Sequence, residues 1–228
     1  MLRRLRKSRS NSQRKVCEVI ISCNVIMEKT GKLIVFEGAD GVGKSAICSA
    51  FVKALQDRGT NVEHLSFPGK DAGTLGKLVY RMHHDSAECG VTSLTPASLQ
   101  ALHIAAHLDA IERVILPALK SGVWVVLDRF WWSTWVYGVI DNIRHDVLSA
   151  LVEVELCIWG SCKPSALFYI TRDQPLREEP LERWKGLKSA YEELIHREGG
   201  KYPIHPILNE STVGSAVERA GSMIGLAR

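Results

Sequence analysis

None of the six cysteines pairs with another in C-x-x-C spacing; they stand apart at positions 17, 23, 48, 89, 157 and 162 of the 228-residue chain. That scatter argues against a zinc site or a redox pair. With no convincing secretion signal, it fits reduced thiols in a cytoplasmic protein. Long apolar runs are lacking as well. Residues 16–26 are broken by Glu18, Ser22 and Asn24, too short to span a bilayer and a poor signal-peptide core. Nothing else resembles a membrane span. There is no internal repeat, low-complexity tract or interdomain linker, and one domain is expected.

A uniform excess of one charge is also missing. The net charge is +4, yet residues 1–26 carry seven Lys/Arg and a single acid, which leaves 22 basic against 24 acidic residues from Met27 onward. The body is therefore net −2, and no nucleic-acid strand is expected as its partner. The extension 1–26, rich in Arg and Ser, has three readings: a targeting peptide, a disordered basic arm, or a stretch ahead of a working start at Met27. It is expected to be disordered or dispensable, with residues 27–228 forming the folded unit.

What the chain does have is alternation. Strand-like runs stand at 33–36, 62–67, 123–127, 166–170 and 204–208. Helical patterns occupy about 44–58, 75–83, 97–120, 147–156, 181–197 and 213–226. Thr95-Pro96 is an N-cap followed by Pro at the first helical position, and Gly59 can close the first helix. Strands alternating with helices imply right-handed crossovers. The expected fold is α/β: a three-layer α/β/α sandwich of the P-loop NTPase type, with a five-stranded parallel sheet. The wholly apolar run WVVL suits the centre of that sheet.

Directly behind the first strand stands GADGVGKS: Gly38, Ala39, Asp40, Gly41, Val42, Gly43, Lys44 and Ser45. It fits G-x-x-x-x-G-K-[ST]. Glycines let backbone N–H groups converge on a polyphosphate, the lysine adds a point charge for the β/γ oxygens, and the Ser45 hydroxyl can hold Mg²⁺. The helix that follows turns its positive end toward the anion. The bland alternative is a glycine turn in an ordinary βα unit. A second motif ends the third strand, Asp128-Arg129. Asp128 lies at the carboxyl edge of the sheet, where it can hold Mg²⁺ directly or through water, and Arg129 can clamp a second phosphate. Its plainer reading is a strand-end ion pair.

At this point the residues resemble the thymidylate kinase family of P-loop nucleoside monophosphate kinases. The resemblance is carried by FEGADGVGKS (36–45), FPG (67–69), AAHLDAIERVILPALKSGVWVVLDR (105–129), STWVY (133–137) and LKSAYEEL (187–194). It implies transfer of the γ-phosphoryl of ATP, with Mg²⁺, onto dTMP or a related deoxynucleoside monophosphate, and it implies a homodimer. By position, Asp40 accepts from the acceptor's 3′-OH, Arg129 binds the acceptor phosphate with Phe67 packed near it, and Tyr137 crowds out a 2′-OH. With Gly at position 41, the family takes its catalytic arginine from a mobile lid. Arg177 and Arg183, in a short lid near 172–185, are the candidates.

Three departures lie where the family contacts the base. His103 and His107 replace an aromatic and an arginine four residues later, and Thr134 replaces Asn or Gln. The two histidines read as a base pocket, as half-buried helix residues bonded to water, or as an i, i+4 metal pair without the Glu of H-E-x-x-H. Trp131, Trp132 and Trp135 read as core or interface, or as a stacking platform for a strand. Two rival functions stay open: a deoxynucleoside or modified-base nucleotide kinase on the same scaffold, and a P-loop ATPase or binding module with no small-molecule acceptor.

Overall fold

The computed structural model describes residues 31–226; the basic extension 1–26, with Cys17 and Cys23, lies outside the described residues. Every position of β1 (Leu33–Glu37) is buried, because helices cover both faces of the sheet at its middle. The other strands are β2 (Val62–Ser66), β3 (Trp124–Asp128), β4 (Ala166–Thr171) and β5 (Ile204–Leu208), all parallel, in the order β2-β3-β1-β4-β5. The run WVVL is thus an interior strand beside β1, and β1 itself is central. Register sets up the site. Phe36 pairs with Asp128 on one side and with Phe168 on the other, so β1 and β3 end within a residue of each other while β4 runs on to Thr171.

The helices are α1 (Lys44–Gln56), α2 (Leu75–His84), α3 (Pro96–Ala110), α4 (Leu116–Lys120), α5 (Trp131–Ile140), α6 (His145–Trp159), α7 (Leu181–Glu198) and α8 (Val213–Met223). Ile47, Cys48, Phe51 and Leu55 of α1 are buried on the sheet. Phe36, Phe51 and Phe168 meet there with ring centroids 5.1 to 5.9 Å apart. Thr95 caps α3 as expected, accepting from the Ser98 N–H at 3.2 Å. The predicted helix 97–120 is one run with a widened turn, Ile111–Ile115, between α3 and α4. Pro117, just beyond it, has no N–H to give the preceding turn.

The sequence pattern did not predict α5. Its residues WWSTWVYGVI carry no polar stripe, and six of the ten are buried, Trp131 and Trp132 among them. A helix apolar all round leaves no periodic signal. Burial of those two rings places them in the core, away from any strand-binding surface.

Candidate active site

The loop between β1 and α1 is held from outside by its carbonyls. Asn209 Nδ2 donates to the Val42 carbonyl at 2.8 Å, the Leu176 N–H to that of Gly41 at 2.7 Å, and Trp184 Nε1 to that of Asp40 at 3.1 Å. With the carbonyls so engaged, the amides are the groups that remain to face an anion. Gly43 adopts a left-handed φ of 83°, and a Cβ there would meet Asn209 Nδ2 at 2.7 Å. Only glycine fits that curve.

Lys44 Nζ lies 2.8 Å from Asp128 Oδ1, and Ser45 Oγ donates to Asp128 Oδ2 at 2.5 Å. Burial by itself would raise the Asp128 carboxyl. The Lys44 charge and these hydrogen bonds outweigh it and hold the carboxyl below its usual range. A hydroxyl and a carboxylate at the mouth of the loop are hard oxygen donors that fit Mg²⁺, which takes few protein ligands and completes its shell with phosphate oxygens and water. Among the described residues no group of three or more His, Cys, Asp or Glu could hold a metal, so His103 and His107 lack a third ligand.

Across the loop, Arg129 has a left-handed backbone at φ 78°, a strained conformation for a residue with a side chain. This turn sends its guanidinium to Asp40, with Nη1 also donating to Ser133 Oγ at 3.1 Å. The Tyr137 ring centroid stands 5.5 Å from the guanidinium carbon. Burial would raise the Asp40 carboxyl; Arg129 first, then the Tyr137 hydroxyl, then Lys44 and Arg177, overcome this and hold it below its ordinary value.

Sequence reasoning missed the residue that fixes this turn. Glu37 is fully buried at the end of β1. Its carboxylate accepts from the Phe130 N–H at 2.6 Å, the Ser133 N–H at 3.1 Å, Ser133 Oγ at 2.9 Å and Tyr191 Oη at 2.9 Å. It serves as the N-cap of α5 from a neighbouring strand, in place of Phe130, which has no side-chain acceptor. Burial raises its carboxyl, with the charges of Arg129 and Lys44 working against that. An acid closing the run LIVFE was the available signal.

The structure separates the two arginines expected in a lid. Arg177 Nη2 lies 3.5 Å from Asp40 Oδ2, and Arg177 borders a cavity of about 240 Å³ with Lys44, Ser45 and the loop. Arg183 points elsewhere, 2.8 Å from Asp141 Oδ1. A larger cleft, about 320 Å³, lies at the opposite ends of the strands around Lys32, His205 and Met223 and holds none of the phosphate machinery.

The expected base-facing residues divide as well. His107 is 2% exposed, its Nδ1 2.8 Å from Glu155 Oε2 and its ring stacked on Phe67 at 3.9 Å. It is neither an open base contact nor a water-bonded surface residue. Thr134, 3% exposed inside α5, also offers a ligand little surface. Both were expected at the base, and packing among α3, α5 and α6 explains their withdrawal. His103 stays half-buried, with Nε2 3.0 Å from Nδ1 of His83, a residue the sequence reading had not singled out.

A phosphate loop joining the central strand to its helix, faced by a carboxylate from the adjacent strand, defines a P-loop nucleotide-binding protein. The family model described as thymidylate kinase matches residues 36–197. A thymidylate kinase of Chlorobaculum parvum is 32% identical over 171 residues, which cover 73% of this chain and 74% of that one. One of Bradyrhizobium sp. BTAi1 is 35% identical over 136 residues, 59% of this chain and 56% of the relative. The crystal structure of thymidylate kinase from Ehrlichia chaffeensis shares the fold, with a TM-score of 0.69 at 19% identity over 85% of this chain and 98% of that one. The chain belongs to the thymidylate kinase family.

Proposed function

We propose that the chain is a Mg·ATP-dependent kinase that phosphorylates dTMP, or a related deoxynucleoside monophosphate, to the diphosphate. The observation that carries this reading is the Arg129–Asp40 pair standing beside the phosphate loop. A plain ATPase has no use for a second guanidinium aimed at an acid of its own loop. A kinase of nucleoside monophosphates needs one to hold the acceptor's phosphate.

In this reading the loop amides and Lys44 hold the β- and γ-phosphates of ATP, and Arg129 holds the acceptor phosphate. Asp40 accepts from the acceptor's sugar hydroxyl and shares Arg129 with the incoming anion. An acceptor phosphate oxygen forms the new bond to the γ-phosphorus as the bond to the departing ADP breaks, with no covalent enzyme intermediate. Ser45 and Asp128 would hold Mg²⁺, which supplies charge neutralisation of the β/γ oxygens. Arg177, from the short lid near 172–185, is the arginine placed to meet the charge that builds between the two phosphates. Tyr137 excludes a 2′-OH. The working form is taken to be a cytoplasmic homodimer, as the family resemblance implies. No helix among the described residues is long and apolar enough to cross a membrane.

The test is ADP release measured across deoxynucleoside monophosphates and nucleosides. Acceptor-dependent release with dTMP is expected. Activity confined to nucleosides would overturn the role of Arg129, and hydrolysis indifferent to every acceptor would point to an ATPase or binding module.

A further inference from the structure

Four histidines gather where α2 meets α3, and they are not alike. His107 is turned inward, held by Glu155, whose other oxygen accepts from Trp159 Nε1 at 3.1 Å. His84 bonds the carbonyl of Tyr80 on its own helix at 2.8 Å. His83 and His103 instead bond each other, Nδ1 to Nε2 at 3.0 Å, with rings nearly perpendicular at 81°. α2 is seated close enough for this because Gly76 lets it start against Pro68; a Cβ there would lie 1.9 Å from the Pro68 carbonyl oxygen. His83 is exposed and His103 half-buried, so the pair stands outside the core. The His103 ring centroid lies 6.2 Å from that of His107, which stacks on Phe67, and the Phe67 N–H donates to the Asp128 carbonyl at 2.9 Å, so the pair lies on the side of the Asp128-Arg129 turn.

We propose that His83 and His103 form the edge that reads the acceptor's base, and that their mutual hydrogen bond makes this edge tolerant of 4-keto and 4-amino pyrimidines alike. The inference rests on the kinase reading above. Burial, aided by His107, His83 and Arg129, pushes His103 down to about 3, and burial together with His84 and Arg129 also lowers His83. Both rings are then neutral at pH 7. In a neutral pair one ring donates to the other, so the two outer nitrogens are one N–H and one lone pair. When both rings change tautomer, the roles swap and the shared bond survives. Whichever outer nitrogen meets the base can therefore donate to a carbonyl oxygen or accept from an amino group. A guanidinium offers donors alone and would favour the keto form.

The experiment compares kcat/KM for dTMP, dUMP and dCMP with the full chain, alongside calorimetric binding of dTMP and dCMP. The expected result is dCMP within about tenfold of dTMP, where a site of fixed donors would separate them by on the order of a hundredfold or more. His103→Arg should raise the dTMP-to-dCMP ratio by about tenfold. His83→Phe, at an exposed position, should move the same ratio by about fivefold in both kinetics and binding, a change that a purely structural role would not produce. A wild-type chain that phosphorylates dTMP but disfavours dCMP by more than about a hundredfold overturns the inference and leaves the kinase reading standing. So does a loss shared equally by all acceptors in His83→Phe. A chain that phosphorylates no deoxynucleoside monophosphate overturns both.

Discussion

In the proposed reading, the phosphate side and the base side of the site are built from different materials. On the phosphate side the recognising groups are backbone amides, set by a strand, a glycine loop and a helix start, with Lys44, Ser45 and Asp128 already engaged with one another. On the base side they are side chains carried by separate helices, where one histidine is packed inward on Glu155 and another reaches across to His83. Backbone geometry admits few sequences, whereas a helix face can exchange one ring for another while the fold stands. Phosphate chemistry should therefore be rigid in this molecule and base choice adaptable.

The largest break in that contrast should come from Lys44→Ala, which is expected to lower kcat by about 10³ to 10⁴ for every acceptor alike, the fold being intact by circular dichroism. Near wild-type turnover would remove Lys44 from the mechanism. Next come the two arginines proposed for a lid. Arg177→Ala should cost about 10² to 10³ in kcat and Arg183→Ala less than about tenfold, since only the former borders the loop cavity. Equal losses would contradict the assignment.

Glu37 tests the hinge between the two sides. Glu37→Ala strands the Phe130 and Ser133 donors, and urea unfolding should show a loss of about 2 to 3 kcal/mol. Glu37→Gln, which keeps an acceptor oxygen, should lose less.

The smallest effect concerns pH. His103 in the folded chain is pushed down to about 3 by burial first and neighbouring charge second, well below its ordinary 6.5. The unfolded chain therefore takes up the proton first. The stability this group contributes is complete above about pH 6.5 and is lost as pH falls toward the folded value, by at most about 1.4 kcal/mol per pH unit. His103→Gln should flatten that acid limb in urea titrations at pH 7, 6 and 5. An unchanged limb would mean that His103 is not neutral in the fold.

Legibility followed the same division. The three inner strands were readable because a buried parallel strand is an apolar run, and the phosphate loop because glycine spacing is forced by its curvature. The helix α5 was not, since WWSTWVYGVI has no polar face to give a period. Glu37 and Asn209 escaped because their partners are distant in sequence; Asn209 braces Val42 from 167 residues away. The pattern also could not tell His103 from His107. Both share a helix face, and only the placement of Glu155 on α6 turns one inward.

The central claim is that two anion sites, one of amides and one of a guanidinium, meet at Asp40. Calorimetric titration of Arg129→Ala with dTMP and, separately, with Mg·ATP tests it most directly. The account predicts that dTMP affinity falls by on the order of a hundredfold while Mg·ATP affinity stays within about threefold of wild type. Equal weakening of both ligands, or undiminished dTMP binding, would contradict it.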